Sequence, residues 1–424
     1  PLGLVNGTAV PCVGHRYHHF SSWDTKYAQQ PLLALLYPEV ASDVCQSFVD
    51  QARTGGGGFA RWSIGYRESG VMEGDPSSIM IAQSHALGAT AFDADAALAV
   101  MAKVATTPGV ESSPGFTTRP GLANYLKGGL AKIDGKADGV SGTGGRTYSQ
   151  TLDYSIADFA IGRFAASRGN DELAARMLRQ AQHWKAVVDP KTKMFFAQEG
   201  SGGYAESSGR AAQFMVPHNY AGLARLMGGR EKAMEHFRTW PPHLGNEDNH
   251  YAPWAPNWLG GPWEAQKYQR EQFVRWFSLP KGVSRYDWKW TWGDPLDAES
   301  LYAHLPGSND LGAMTAMGVW LAVGVFPELP GETGFAVGSP LLPKVVLDRG
   351  PNGTLTILAK DAGPLRPYVK SLTVNGTPHG SSWIPGALLN RKDNVLTFEM
   401  AAEPNREWGS DPPPPSFDAR PLYL

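Results

Sequence analysis

Residues 150–188 read QTLDYSIADFAIGRFAASRGNDELAARMLRQAQHWKAVV, and this stretch decides the fold. Apolar residues recur at steps of three and four on both sides of Arg168-Gly169-Asn170, the period of two helices that each bury one face. Gly169 supplies the left-handed residue that closes the first helix, and Asn170 the side-chain cap that opens the second. So short a connection forces the helices into an antiparallel hairpin. The same alternation of helix and Gly- or Pro-rich loop extends from Trp23 to about Pro330. Helices are predicted near Asp24–Tyr37, Pro38–Ala52, Pro76–Phe92, Ala94–Ala105, Gly121–Gly129, Gln150–Ser167, Asp171–Val188, Pro217–Leu226, Glu231–Arg238, Pro262–Phe277 and Asp310–Val325. Successive helical hairpins around one core predict a mainly α protein, an α/α toroid.

Beyond Pro330 the period changes to two. Lys344–Asp348, Thr354–Ala359, Ser371–Val374 and Val395–Met400 alternate or carry β-branched residues, punctuated by Asn-Gly at 352–353 and 375–376. A small C-terminal β-sandwich or sheet is expected. The chain therefore divides into a leading segment 1–22, a helical barrel 23–330, a β region 331–406 and a Pro-rich tail 407–424. Four consecutive prolines at 412–415 predict a tail that is extended and structureless. Asn-Gly-Thr at 6–8, 352–354 and 375–377 matches a glycosylation acceptor, but Asn-Gly between strands is read first as a turn.

Composition narrows the function. At 424 residues with 42% hydrophobic residues the chain has ample material for a packed core, and a disulfide scaffold or a disordered segment is excluded. A net charge of -2 argues against nucleic acid. Charged residues are only 18%, while Gly 49, Pro 33 and Trp 14 are abundant, a loop-rich, aromatic surface suited to stacking on sugar C–H faces. The longest apolar run, Ala313–Phe326, ends at Pro327 and falls short of the ~20 residues that span a bilayer, so it reads as a core helix. Cys12 and Cys45 are compatible with one disulfide or with two thiols. Gly55–Gly58 lacks the lysine of a phosphate loop, and the cluster His15, His18, His19 finds no matching zinc ligands elsewhere.

Three loops between helices concentrate acidic and polar residues. Gly203-Tyr204-Ala205-Glu206-Ser207-Ser208-Gly209 sets Glu206 beside an aromatic residue, an environment able to keep a carboxyl protonated for general-acid work, or else presents a solvated loop glutamate. Gly245-Asn246-Glu247-Asp248-Asn249-His250-Tyr251 is dense in hard oxygen donors suited to Ca2+, or else is a solvated acidic turn. Pro306-Gly307-Ser308-Asn309-Asp310-Leu311-Gly312 puts Asp310 at the mouth of the most apolar helix, where an N-cap competes as an explanation. Two carboxylates facing each other across a funnel are what glycoside hydrolysis needs.

With these loops in view, the chain resembles glycoside hydrolase family 92, the calcium-dependent inverting exo-α-mannosidases. The matching blocks are Phe20-Ser21-Ser22-Trp23-Asp24-Thr25, Phe59-Ala60-Arg61-Trp62, Met72-Glu73-Gly74-Asp75, Tyr204 with Glu206 and Val216-Pro217-His218, Gly245-Asn246-Glu247 with Gly261-Pro262-Trp263, and Leu305-Pro306-Gly307 to Gly312-Ala313-Met314. The resemblance implies an (α/α)6 barrel followed by a β region. It implies Glu206 as general acid and Asp310 as general base, their carboxyl groups roughly 6.5–9.5 Å apart as inversion requires. It also implies Asn246 and Glu247 at a Ca2+ ion that holds two mannose hydroxyls, and Trp23, Asp24, Arg61, Asp75 and His218 around the sugar. A mannose-containing glycan as substrate, a secreted or periplasmic/cell-surface location and an N-terminal β-sandwich domain or chain as partner follow from the same resemblance. Ser308 and Asn309 stand where the family usually has a second acid, so Asp310 is expected to act alone. Another glycoside recognised through Arg210, or a sugar-binding subunit without turnover, are the alternatives.

Overall fold

The computed structural model describes residues 2–5, 8–11, 14–65, 67–133, 146–197, 203–239, 244, 246–277 and 306–418. The deciding hairpin forms as read. The helix Thr147–Ser167 is buried along almost its whole length, closes on Arg168 and Gly169 (φ +71°), and is followed by Asn170, whose Oδ1 accepts the Leu173 N–H at 3.1 Å. The return helix Asp171–Gln180 buries Ala174 and Met177 and then tightens into a 3-10 turn, Ala181–Val187. A helix buried all round still contains Ser149, Gln150, Asp153, Ser155 and Asp158, and each polar side chain there needs a partner from a neighbouring element.

The first predicted helix is two. Ser22–Thr25 makes one turn, and Gln29–Leu36 starts afresh after Ala28 (φ -123°). Pro31 is the reason: it has no N–H to give the Tyr27 carbonyl, and it is tolerated only in the first turn of a new helix. Pro38–Thr54 follows as expected, and Pro76–Ala86 stops short of Phe92 because Gly88 takes the left-handed conformation (φ +109°). The last helix, Ala313–Val323, is shorter than predicted at its start, since 306–312 form a separate 3-10 segment.

The C-terminal sheet has five strands in the order Lys344–Asp348, Thr354–Leu358, Asp393–Ala401, Tyr368–Val374, Thr377–His379. All neighbours are antiparallel except Thr354–Leu358 with Asp393–Ala401. Val374 pairs with Thr377 across Asn375 (φ +52°) and Gly376 (φ +83°), the two left-handed residues of a type I′ hairpin turn. A second small sheet, Trp383–Ile384, Phe335–Val337 and Val325–Phe326, stitches the last helix to this region. One buried apolar cluster runs from Tyr27 through the helices to Phe398 and Phe417.

The tail is extended but far from structureless. Phe417 donates its N–H to the His218 carbonyl (2.8 Å), stacks near Phe159 (4.9 Å between centroids) and offers its carbonyl to Gln182 (3.0 Å). Trp258 Nε1 donates to the Pro415 carbonyl at 2.6 Å, and Asp418 is met by Lys185 and Arg225. Prolines have no N–H to bond within the segment, so a Pro-rich strap is held by its carbonyls and flanking side chains. Cys45 is a buried free thiol pushed up to about 12 by burial, and Cys12 lies outside the described residues.

Candidate active site

Each acidic loop is held from below by a different element. Strand Phe20–Ser21 pairs with Trp62–Ile64 and launches the turn Ser22–Thr25, so that Trp23 and Asp24 are buried. Behind them Lys26 Nζ meets Asp153 Oδ1 at 2.9 Å, with both side chains fully buried. The Glu206 loop lies across the start of Thr147–Ser167: the Tyr148 and Ser149 N–H groups donate to the Gly203 carbonyl, Ser149 Oγ accepts from the Ala205 N–H at 2.9 Å, and Arg146 bonds the Tyr204 carbonyl at 2.8 Å. Glu206 follows in the left-handed region (φ +49°) with its side chain exposed. Tyr204 turns its hydroxyl away, to the Phe196 carbonyl (3.0 Å).

The Asp310 loop is strained. Asn309, Asp310 and Leu311 all have positive φ (72°, 30° and 55°) ahead of Gly312 (95°), a run that costs roughly 1–2 kcal/mol per non-glycine residue. It is held by Asn309 Oδ1, which accepts from both the N–H (3.0 Å) and the hydroxyl of Thr315, and by Gln29 Nε2, which donates to the Leu311 carbonyl at 3.0 Å. Gly312 is the N-cap of the last helix, and Asn309 supplies a side-chain acceptor to its first turn. The Asp310 carboxylate is left for other work, which removes the N-cap explanation for it.

The three loops and the first turn converge. Asn246 Nδ2 donates to Glu206 Oε2 at 3.0 Å, and Glu247, fully buried, lies close enough to Asp310 to favour its charged form. Burial, then repulsion by Asp310 and Glu206, drives the Asp24 carboxyl up to about 8 against the opposing pull of Lys26 and a Ser21 hydrogen bond. Burial also raises Asp310, to about 6, with Glu206 adding and the neighbouring Glu247 subtracting. The carboxyl groups of Asp24, Glu206 and Asp310 are thus within electrostatic reach of one another, with Glu247 beside Asp310. Burial and this repulsion oppose the simultaneous ionisation of Asp24 and Asp310.

Three residues expected at the sugar have other employment. Asp75 caps Pro76–Ala86, accepting from Ser78, and is bridged by Arg119 (2.7 Å) to Asp158. Arg61 donates to the carbonyls of Thr117 and Gly70. His218 is fully buried against Phe159, its Nε2 2.9 Å from the Ala181 carbonyl, and burial lowers it to about 4. Lys26 and Asp153 were missed by the sequence reading. The available signal was a lysine and an aspartate inside helices otherwise read as buried. Among the described residues no three His, Cys, Asp or Glu stand assembled around a point fit for a metal ion.

Paired helices whose connecting loops bring acid and amide side chains to one mouth define a glycoside hydrolase frame. Residues 5–284 and 299–402 match the glycosyl hydrolase family 92 catalytic domain, and the chain belongs to that family. It is similar in fold to a family GH92 α-mannosidase from Bacteroides thetaiotaomicron (TM-score 0.82, 22% identity, 97% of this chain and 54% of that one). A second structure, a family GH92 inverting mannosidase from Bacteroides thetaiotaomicron VPI-5482, gives a TM-score of 0.78 at 24% identity over 97% of this chain and 57% of that one. An uncharacterized secreted glycosidase of Arthroderma benhamiae is 23% identical over 319 residues, 65% of this chain and 38% of that protein. The chain thus spans little more than half the length of the solved relatives, and less of the fungal one.

Proposed function

We propose that this chain forms the catalytic part of an inverting, exo-acting α-mannosidase that removes terminal α-mannose from glycans. The observation that carries the reading is the convergence of Glu206, Asp310 and Asp24, from separate parts of the chain, into one interacting set of carboxyl groups. The solved neighbours named as mannosidases supply the sugar, and the one named inverting supplies the stereochemistry.

In this reading Glu206, exposed at the mouth, gives its proton to the glycosidic oxygen as the C1–O bond breaks. Asp310 takes a proton from the water that attacks C1 on the opposite face, so the sugar leaves with its anomeric configuration reversed. Asp24, raised to about 8, holds its proton at neutral pH and donates a hydrogen bond to a sugar hydroxyl. Trp23, packed with Met72 and Ala205 and flanked by the half-buried Trp62, walls the pocket beside the acid.

The donors fit Ca2+ by chemistry: Asn246 turns its NH2 to Glu206, leaving an amide oxygen, and Glu247 adds a carboxylate, both hard ligands. Asn246 and Glu247 would hold the ion, with sugar hydroxyls and water completing its shell; once bound it supplies positive charge to the crowded carboxylates and a grip on the sugar. Partnership with a β-sandwich domain or chain, and a secreted or cell-surface location, belong to the same proposal. The relative named a secreted glycosidase supports the location, and no helix among the described residues is long and apolar enough to cross a membrane.

The test is hydrolysis of a panel of α-linked mannosides by the chain, with and without EDTA. Glu206→Gln and Asp310→Asn are each expected to lower kcat by roughly 10²–10⁴-fold, as loss of a general acid or base does. Full activity in either variant, or in EDTA, contradicts the assigned roles.

A further inference from the structure

The turn that carries Trp23 and Asp24 spans only Ser22–Thr25, too short to hold its own shape. Its anchor comes from a different element. Asp153, in the first third of Thr147–Ser167, is fully buried and accepts a bond from Lys26 Nζ at 2.9 Å. The side chain of Trp23 also stabilises the charged form of Asp153. The Lys26 ammonium lies 4.4 Å from the centroid of the Tyr27 ring and 5.3 Å from that of Trp23, so its surroundings are aromatic on the side away from the carboxylate. Asp153 thus grips Lys26, two residues beyond Asp24 in the same short stretch.

We infer that Asp153 and Lys26 are positioning residues for Asp24, their ion pair aiming the Asp24 carboxyl toward Asp310 and Glu206. Fold stability alone is a poor reason for such a pair, since apolar side chains of similar volume usually hold a buried site as well or better. The fit around Asp153 is also close. A Cβ on Gly74, which has φ +82°, would stand 2.6 Å from Asp153 Oδ2, so the chain has moulded itself round that carboxyl group. Lys26 acts on Asp24 a second time, as the cation opposing the repulsion from Asp310 and Glu206.

The test is the full chain carrying Lys26→Met together with Asp153→Leu, which removes both charges and leaves the volume. Melting temperature, a crystal structure and steady-state kinetics on an α-mannoside are measured beside wild type. The pair as positioning device predicts an unchanged or higher melting temperature, an Asp24 carboxyl displaced by about 1 Å or more, and kcat lowered by at least about tenfold. An Asp24 carboxyl superimposable on that of wild type, or kcat within twofold of it, overturns the inference. Asp153→Glu keeps the charge and lengthens the arm by one methylene; it predicts the same displacement, and stands in if the double variant does not fold. Only the kinetic arm rests on the mannosidase reading. A wild type silent on every α-mannoside sinks that reading, and the position of Asp24 then decides this one.

Discussion

Asp24 shows how a single residue ties stability to chemistry. Its carboxyl binds a proton more tightly folded than unfolded, because burial and two neighbouring acids penalise the charge. That preference contributes stability in full below about pH 4 and loses it as pH rises toward about 8. Asp24→Asn removes the liability, so in EDTA its melting temperature should match wild type near pH 4 and exceed it by a few degrees near pH 8; a difference independent of pH contradicts the account. The same substitution should cost activity, the common trade at a strained site. At this scale the sequence was readable where residues sit in unusual loops. Glu206 and Asp310 stand out from their Gly- and Ser-rich surroundings, and the structure brings them together with Asp24, Asn246 and Glu247. The sequence did not show which polar residues also carry structural contacts. His218, Asp75 and Arg61 belong to blocks that resemble a family pattern, but their side chains serve a carbonyl, a helix cap and two carbonyls respectively. Lys26 and Asp153 find each other only through the packing of two distant segments, and no local pattern announces a pair of that kind.

Elements were legible in proportion to their length and punctuation. Pro262–Phe277 and Lys344–Asp348 fall where periodicity puts them. The type I′ turn at Asn375-Gly376 follows from residues that tolerate positive φ, whereas the short strands Trp62–Ile64 and Phe335–Val337 are too brief to show an alternation. The tail was misread because proline predicts the backbone state but says nothing of where side chains dock. Phe417 seals the end of the strap against Phe159 and His218, so Phe417→Ala should cost about 3–5 kcal/mol in urea unfolding; a loss below about 1 kcal/mol means the strap is ornamental. Gly209 makes a second prediction. A Cβ there would stand 2.1 Å from the Phe196 carbonyl, on the far side of the loop that carries Glu206. Gly209→Ala should therefore lower kcat by at least about tenfold while circular dichroism stays that of wild type, since a small misplacement of a reacting group is costly. Unaltered kinetics show that the acid loop tolerates the shift.

For the molecule as a whole, the hydrophobic cluster that joins helices, sheet and strap makes the C-terminal region part of the body that holds the loops. The sheet reaches the helices directly, through the Val369 N–H donated to Gln266 at 3.0 Å. Helical hairpins followed by strands were visible in the change of period near Pro330, because each architecture imposes its own spacing on apolar residues. How the three loops and the first turn come together was not, because that depends on the packing of distant segments and no single segment encodes it. The central claim is that Glu206 and Asp310 work as acid and base on opposite faces of one sugar. The most direct measurement is proton NMR of the first anomer released from an α-mannoside, recorded before mutarotation. The account predicts β-mannose; α-mannose as the first product contradicts it.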